Sequence, residues 1–106
     1  MDIKTLQYFS AIVEAGSMSG AARRLGTSRS HVSRRLKALE QDLEVQLLRR
    51  TTRRIEPTQI GWAMYEHAAR ISQELSALQS TVDNLGRNLR GHLRLSVPSA
   101  LGQQVL

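Results

Sequence analysis

Apolar positions in this chain follow a helical rhythm first, a broken one next, and a seven-residue one last. From Ile3 to Ala15, Leu6, Phe9, Ile12 and Val13 fall on one side of a helix, with Asp2 placed to cap its start and Gly16 to end it. Ser17 caps a short second helix, Met18–Leu25, which turns Ala21, Ala22 and Leu25 inward. Gly26-Thr27 makes a turn, and Ser28 caps a third helix that runs to about Asp42 with Val32, Leu36 and Leu39 inward. Two short helices crossing steeply need a small residue where they touch, a breaker between them and an apolar anchor on the second. Ala22, Gly26 and Val32 supply these in order, which is the helix-turn-helix arrangement.

Val45 to Pro57 obeys no helical spacing. Val45 and Leu47-Leu48 precede RRTTRRIEP, which mixes β-branched residues with four arginines. It reads as a two-stranded ribbon, a wing, whose tip carries Arg50 to Arg53 and which Pro57 stops. Thr58 then caps a long helix from about Gln59 to Arg90. Its Met64, Ala68, Ile71, Leu75, Leu78, Val82, Leu85 and Leu89 are spaced 4, 3, 4, 3, 4, 3 and 4, an a/d heptad seam. Such a helix is about 48 Å long. A stripe that long outruns a domain of this size and calls for another helix, most simply its own copy. Gly86 is where it would fray. In HLRLSVP, Leu93, Leu95 and Val97 alternate as in a strand, and ALGQQVL after Pro98 could start a further helix. A lone strand is unstable, so this tail reads as the opening of a second domain.

The pattern therefore predicts a mostly α fold. A winged helix-turn-helix of three helices and a two-stranded wing occupies residues 1–57, a linker and dimerisation helix 58–90, and a hinge with the first strand of a truncated domain 91–106. The 106 residues suffice for one small domain with an appended helix, and the lack of cysteine excludes disulfides and thiolate metal sites. MDIKTLQYF has no basic start and no continuous apolar run, so it does not read as a secretory signal, and no stretch is apolar enough to span a membrane. A cytoplasmic protein without cofactor or metal is expected.

Charge placement adds more than its total of +6. Between Ala22 and Arg54 ten Lys or Arg face only Glu40, Asp42 and Glu44, a local excess of +7, with the remainder near balance. Concentrated positive charge suits a polyanion, although a solvated basic face would look the same by charge alone. With Val32 inward, Ser30, Arg34 and Lys37 lie on the opposite side of the third helix, flanked by His31 and Ser33. A helix enters the major groove of B-DNA with its N-terminal turns nearest the bases. Base-edge contacts are accordingly expected from Arg29, Ser30, Ser33 and Arg34, with a phosphate contact the competing role for Arg34. His31 is a further candidate for contact. Ser28 is foremost a cap whose N–H could also meet phosphate. Lys37 should touch phosphate, and Arg35 should form a structural ion pair.

In the wing, Arg50, Arg53 and Arg54 are candidates for phosphate or minor-groove contact, with Arg50 the one best placed for an internal salt bridge. Thr51 could bond phosphate or serve turn geometry, as could Thr52. Trp62 and Tyr65 are expected to pack the long helix against the winged domain. His31, His67 and His92 have no metal-ligand spacing, and the chain shows no nucleophile–base pair, carboxylate constellation or phosphate-cradling glycine loop, which argues against an enzyme.

Together these features resemble the LysR-type transcriptional regulators, in their N-terminal winged helix-turn-helix domain and linker helix. The resemblance rests on Leu6, Phe9, Gly16-Ser17, Ala21-Ala22 with Leu25, Ser28, Ser33, Leu39-Glu40, Leu43, Leu47, Arg50-Thr51, and Thr58 with Gly61. It implies a homodimer joined through the long helix, bound to double-stranded promoter DNA, with a small-molecule co-inducer only in a full-length protein. A coiled-coil interaction module with an incidental basic surface is the alternative. The chain departs from the family at Arg29, Ser30 and His31, where glutamine, proline and a small residue are usual. Glu44 stands for a usual glycine, Leu48 for phenylalanine and Ile60 for alanine.

Overall fold

The computed structural model describes residues 1–51 and 54–95, with side chains as far as Leu89. In chain order the elements are α1 (Ile3–Ala15), α2 (Met18–Leu25), α3 (Arg29–Leu43), β1 (Leu48–Arg50), β2 (Ile55–Pro57) and α4 (Gln59–Leu95). The fold is mostly helical with a two-stranded antiparallel wing, as the apolar pattern predicts. Helix starts follow local chemistry. Asp2 accepts the Thr5 N–H, Ser17 the Gly20 N–H, and Ser28 the His31 N–H, each satisfying a donor that a helix start leaves orphaned. Gly16 and Gly26 close α1 and α2 at φ 73° and 68°, a left-handed conformation that costs glycine nothing.

The chain divides into two compact units, Met1–Ser72 and Gln73–Leu106. In the first, α1 packs against α2 and α3 and also meets β2. Phe9, Ile12, Val32 and Leu47 are almost wholly withdrawn from water at its centre. Each such side chain contributes about 1.5–3 kcal/mol of transfer free energy. Tyr8, Ala11 and Met18 are buried as well, although they lie outside the stripes read from the sequence. In β1–β2 the register pairs Leu48 with Pro57, Arg49 with Glu56 and Arg50 with Ile55. Pro57 thus ends the ribbon from within it, and Arg50 belongs to a strand rather than the tip.

Two side chains fix the root of the wing. Glu40 of α3 accepts the Leu47 N–H at 2.7 Å and the Leu48 N–H at 3.3 Å through one carboxylate oxygen. From the other side, Thr58 N–H donates to the Leu47 carbonyl at 2.9 Å and its hydroxyl donates to the Gln46 carbonyl at 2.7 Å. The same hydroxyl caps α4 by accepting the Gly61 N–H at 3.1 Å. Gly61 is buried and sits so close to the Leu47 carbonyl that an added Cβ would overlap it.

In the second unit, Gln73–Leu95 is α4 helix. Leu93 and Leu95 are therefore helical, where the alternation predicts a strand. A helix meets its backbone hydrogen-bond needs internally, whereas a strand needs a neighbour, and the described residues offer none there. Val97 and the further helix expected after Pro98 lie outside the described residues.

Candidate nucleic-acid interface

Helix α3 divides its side chains by period. Val32, Leu36 and Leu39 are buried, while Arg29, Ser30, Arg34 and Lys37 are exposed. Ser30, Arg34 and Lys37 follow at i, i+4 and i+7, one line along the outer face. Ser28 starts this helix as a cap and its side chain is exposed. Ser33 is half-buried and accepts a long hydrogen bond, 3.4 Å, from Nη2 of Arg50 on the wing.

Two residues of α3 turn instead toward α1. The His31 ring meets the Tyr8 ring edge-on, with centroids 5.7 Å apart and planes at 78°. One turn later the Arg35 guanidinium lies over the face of the same Tyr8 ring, 5.1 Å from its centroid. Arg35 Nη1 also donates to Thr5 Oγ1 at 2.9 Å and stands 3.9 Å from Asp2 Oδ1, in line with the structural ion pair expected of it. The Asp2 carboxyl is held below its ordinary pKa, chiefly by hydrogen bonds from the Thr5 hydroxyl and N–H, which prevail over desolvation, with Arg35 adding attraction.

In the wing, Thr51 and Arg54 close the turn. Thr51 N–H and Oγ1 both donate to the Arg54 carbonyl at 2.9 Å, and Thr51 Oγ1 accepts the Arg54 N–H at 3.1 Å. The internal salt bridge belongs to Arg54, whose Nε is 3.1 Å from Glu56 Oε1, and not to Arg50, whose partner is the neutral Ser33. Arg54 immediately precedes β2 and Glu56 lies within it, so the two charges are only two residues apart along the chain. Arg53 and Thr52 lie outside the described residues. Arg29, Arg50, Thr51 and Arg54 line one surface notch with the start of α2, from Gly16 to Ser19. Candidates from three elements thus converge on one face of the first unit.

The heptad residues sort by position. In the first unit Ala68 is buried, Met64 is half-buried, and Ile71 is 39% exposed. These three line an apolar groove with Met1, Leu6 and Ile60. In the second unit Leu75 and Leu89 are half-buried, while Leu78, Val82 and Leu85 are each more than half exposed, a stripe left open among the described residues.

Trp62 does not pack α4 onto the winged domain as expected. It is 53% exposed and forms an edge-to-face pair with Tyr65, the ring centroids 6.1 Å apart. Tyr65 makes the tether instead, its hydroxyl donating to Glu14 Oε2 at 2.9 Å while Glu14 Oε1 receives Arg24 at 3.4 Å. The hydrogen bond to Glu14, then burial, raises the Tyr65 pKa above its ordinary value. His67 is exposed, and the His92 side chain lies outside the described residues. Among the described residues no group of three or more His, Asp or Glu could hold a metal ion, and no helix is long and apolar enough to cross a membrane.

The comparisons with known proteins agree with this geometry. The chain is 43% identical over 101 residues to an HTH-type transcriptional regulator of Xanthomonas campestris pv. campestris (strain 8004), covering 95% of this chain and 29% of that protein. It is 35% identical over 97 residues to the nitrogen assimilation regulatory protein nac of Klebsiella aerogenes, covering 92% and 32%. The chain thus spans about a third of the length of these two relatives. Among solved structures, that of a BenM_DBD/catB site 1 DNA complex is similar with a TM-score of 0.78 at 30% identity, covering 81% of this chain and 96% of that one. A CbnR_DBD–DNA complex is similar with a TM-score of 0.70 at 41% identity, covering 82% and 99%. A family model described as bacterial regulatory helix-turn-helix protein, lysR family, matches residues 3–62. With the helix pair, the wing and the entry to α4 all in place, the chain belongs to the lysR family of bacterial regulatory helix-turn-helix proteins.

Proposed function

We propose that this chain is the sequence-specific, double-stranded-DNA-binding part of a dimeric bacterial transcription regulator. The observation that carries the reading is the outer face of α3. Ser30, Arg34 and Lys37 stand exposed in one line on a helix whose inner face is buried at Val32, Leu36 and Leu39. Rigidly held polar and basic side chains on a helix face suit the donor–acceptor pattern of the major groove. In this reading Arg29, Ser30, Ser33 and Arg34 approach base edges, while Lys37 and the N–H groups behind Ser28 meet phosphate. Arg50, Thr51, Arg53 and Arg54 follow the flanking backbone or minor groove. Similarity to the BenM and CbnR DNA-binding domains, solved with DNA, supports it.

The uncovered heptad stripe supports a homodimer through α4, with Met64, Ala68, Ile71, Leu75, Leu78, Val82, Leu85 and Leu89 as its seam. Two joined copies would present two reading helices to an inverted repeat. Within this reading residues 1–57 bind DNA, 58–90 dimerise and 91–106 lead toward an effector domain. A small-molecule co-inducer belongs to that longer protein. The working place is the bacterial cytoplasm.

Binding of a labelled promoter duplex, followed by anisotropy across a salt series, tests the reading. Several phosphate contacts per dimer should make log K fall steeply with log salt. Absence of binding, or binding indifferent to salt, refutes it. Charged substitutions at Leu75 and Leu78 should abolish dimer and DNA affinity together. Loss of the dimer with affinity intact would favour an interaction module.

A further inference from the structure

His31 and Arg35 are one turn apart on α3, and both hold the same ring. Tyr8 is only 7% exposed, with the His31 ring against its edge and the Arg35 guanidinium over its face. Arg35 is fastened again to Thr5. In the first turn of α3, which carries Arg29 and Ser30, the contact to the Tyr8 ring is made by His31. The inward contacts of this turn come from Val32, fully buried, and from His31, about 100° further round the helix. Val32, Leu36 and Leu39 pin the helix to the core along one line, and a single line of contacts resists roll about the axis poorly. A second contact in another direction removes that freedom.

The roll matters for reading bases. Exposed side chains stand about 5–6 Å from the helix axis, so a 20° roll carries them sideways by about 2 Å. That is enough to lose a hydrogen bond to a base edge. Phosphate contacts, made by long flexible cations, tolerate such a shift far better.

We infer that His31 is a positioning residue for sequence reading: its ring, lodged against Tyr8, sets the roll of α3 so that Ser30 and Arg34 point squarely outward. The inference rests on the proposed sequence-specific DNA binding. It gives His31 a different part from the base contact expected of the sequence.

The test selects preferred duplexes from random DNA with the wild-type chain. It then compares affinity for the selected duplex with affinity for a scrambled one of the same composition. His31→Ala should lower that ratio about tenfold, the size of one good base contact, with affinity for the scrambled duplex unchanged. His31→Phe keeps a ring against Tyr8 but no N–H, and should restore the ratio. Tyr8→Leu touches neither DNA nor the outer face of α3, yet should reproduce the loss. It also keeps the inference testable if His31→Ala folds poorly.

Equal selectivity in wild type, His31→Ala and Tyr8→Leu would overturn the inference alone. Failure of His31→Phe to restore the ratio would also overturn it, because the imidazole would then be contacting DNA directly. A wild-type chain without any sequence preference would remove the proposed function, and this inference with it.

Discussion

Replacing Glu44 by glycine should make this protein more stable. Glu44 closes α3 at φ 57°, and among the described residues it is the one non-glycine residue with positive φ. Its N–H and that of Val45 both donate to the Glu40 carbonyl, so the helix end needs this conformation whatever side chain is present. A left-handed backbone costs an L-residue about 1–2 kcal/mol, which glycine avoids. Against that, glycine makes the unfolded chain more flexible, which costs about 0.4–1 kcal/mol. The net expectation is a gain of about 0.5–1 kcal/mol, or roughly 2–8 °C in Tm for a domain this small.

The charge must be separated from the backbone, because an acidic side chain at a helix C-terminus is itself unfavourable. Glu44→Ala provides the control, since it removes the same exposed carboxylate yet retains the strained φ. Thermal unfolding followed at 222 nm, with urea midpoints to confirm an unchanged m-value, compares the two. If Glu44→Gly melts no higher than Glu44→Ala, the backbone is not where the cost lies and the reasoning fails.

Three other outcomes follow from contacts near the wing and at the start of α1. Gly61→Ala would set a Cβ on the Leu47 carbonyl oxygen, 3.1 Å from its carbon and 3.2 Å from Pro57 Cβ. It should cost about 1–3 kcal/mol by overpacking, despite up to about 1 kcal/mol of added helix propensity; an unchanged urea midpoint would disprove the close approach. Glu40→Ala strands the Leu47 and Leu48 N–H groups and should destabilise by about 2–3 kcal/mol, with Glu40→Gln closer to wild type because it keeps an acceptor. Equal losses in the two would mean that these bonds contribute little. Asp2 titrates below its ordinary value in the folded chain, so its contribution is complete above the ordinary aspartate pKa and disappears as the pH falls through the lowered one. Asp2→Ala should therefore flatten part of the acid side of the stability profile, and an unaltered profile would count against the cap.

What the sequence made legible is what depends on near neighbours. Ser17, Ser28 and Thr58 read as caps because a polar residue just before an apolar helical stretch has one local use, and each caps as expected. The outer line of α3 was legible because its inner line is strictly periodic. Glu40 was not, because nothing in the chain says that its carboxylate reaches backbone N–H groups seven and eight residues on. The exchange of roles between Arg50 and Arg54 depends on strand register, which a short arginine-rich ribbon leaves open. His31 lies at the border between the two faces of α3, and its partner Tyr8 falls outside the stripe read for α1. Its direction was therefore invisible until α1 and α3 were brought together. Trp62 misled because aromatic size suggests burial, while its place on α4 exposes it.

The same tertiary contacts decide how much of the basic zone can face a polyanion. Among the described residues, side-chain ion pairs engage Arg24 with Glu14, Arg35 with Asp2 and Arg54 with Glu56. Arg29, Arg34, Lys37 and Arg49 enter none, and all four are exposed. Arg54 keeps 72% of its side chain in water, and an exposed pair is worth only about 0–1 kcal/mol, so it can exchange Glu56 for a phosphate at small cost. Among the described residues Arg50 makes one long hydrogen bond, to Ser33, which is as easily released. Arg35 is different: a ring, a hydroxyl and a carboxylate hold it, and withdrawing it would loosen α3 from α1. One cation of the zone thus serves the scaffold and the exposed ones serve the surface. A count of arginines in the sequence overstates the charge a ligand meets by at least that residue.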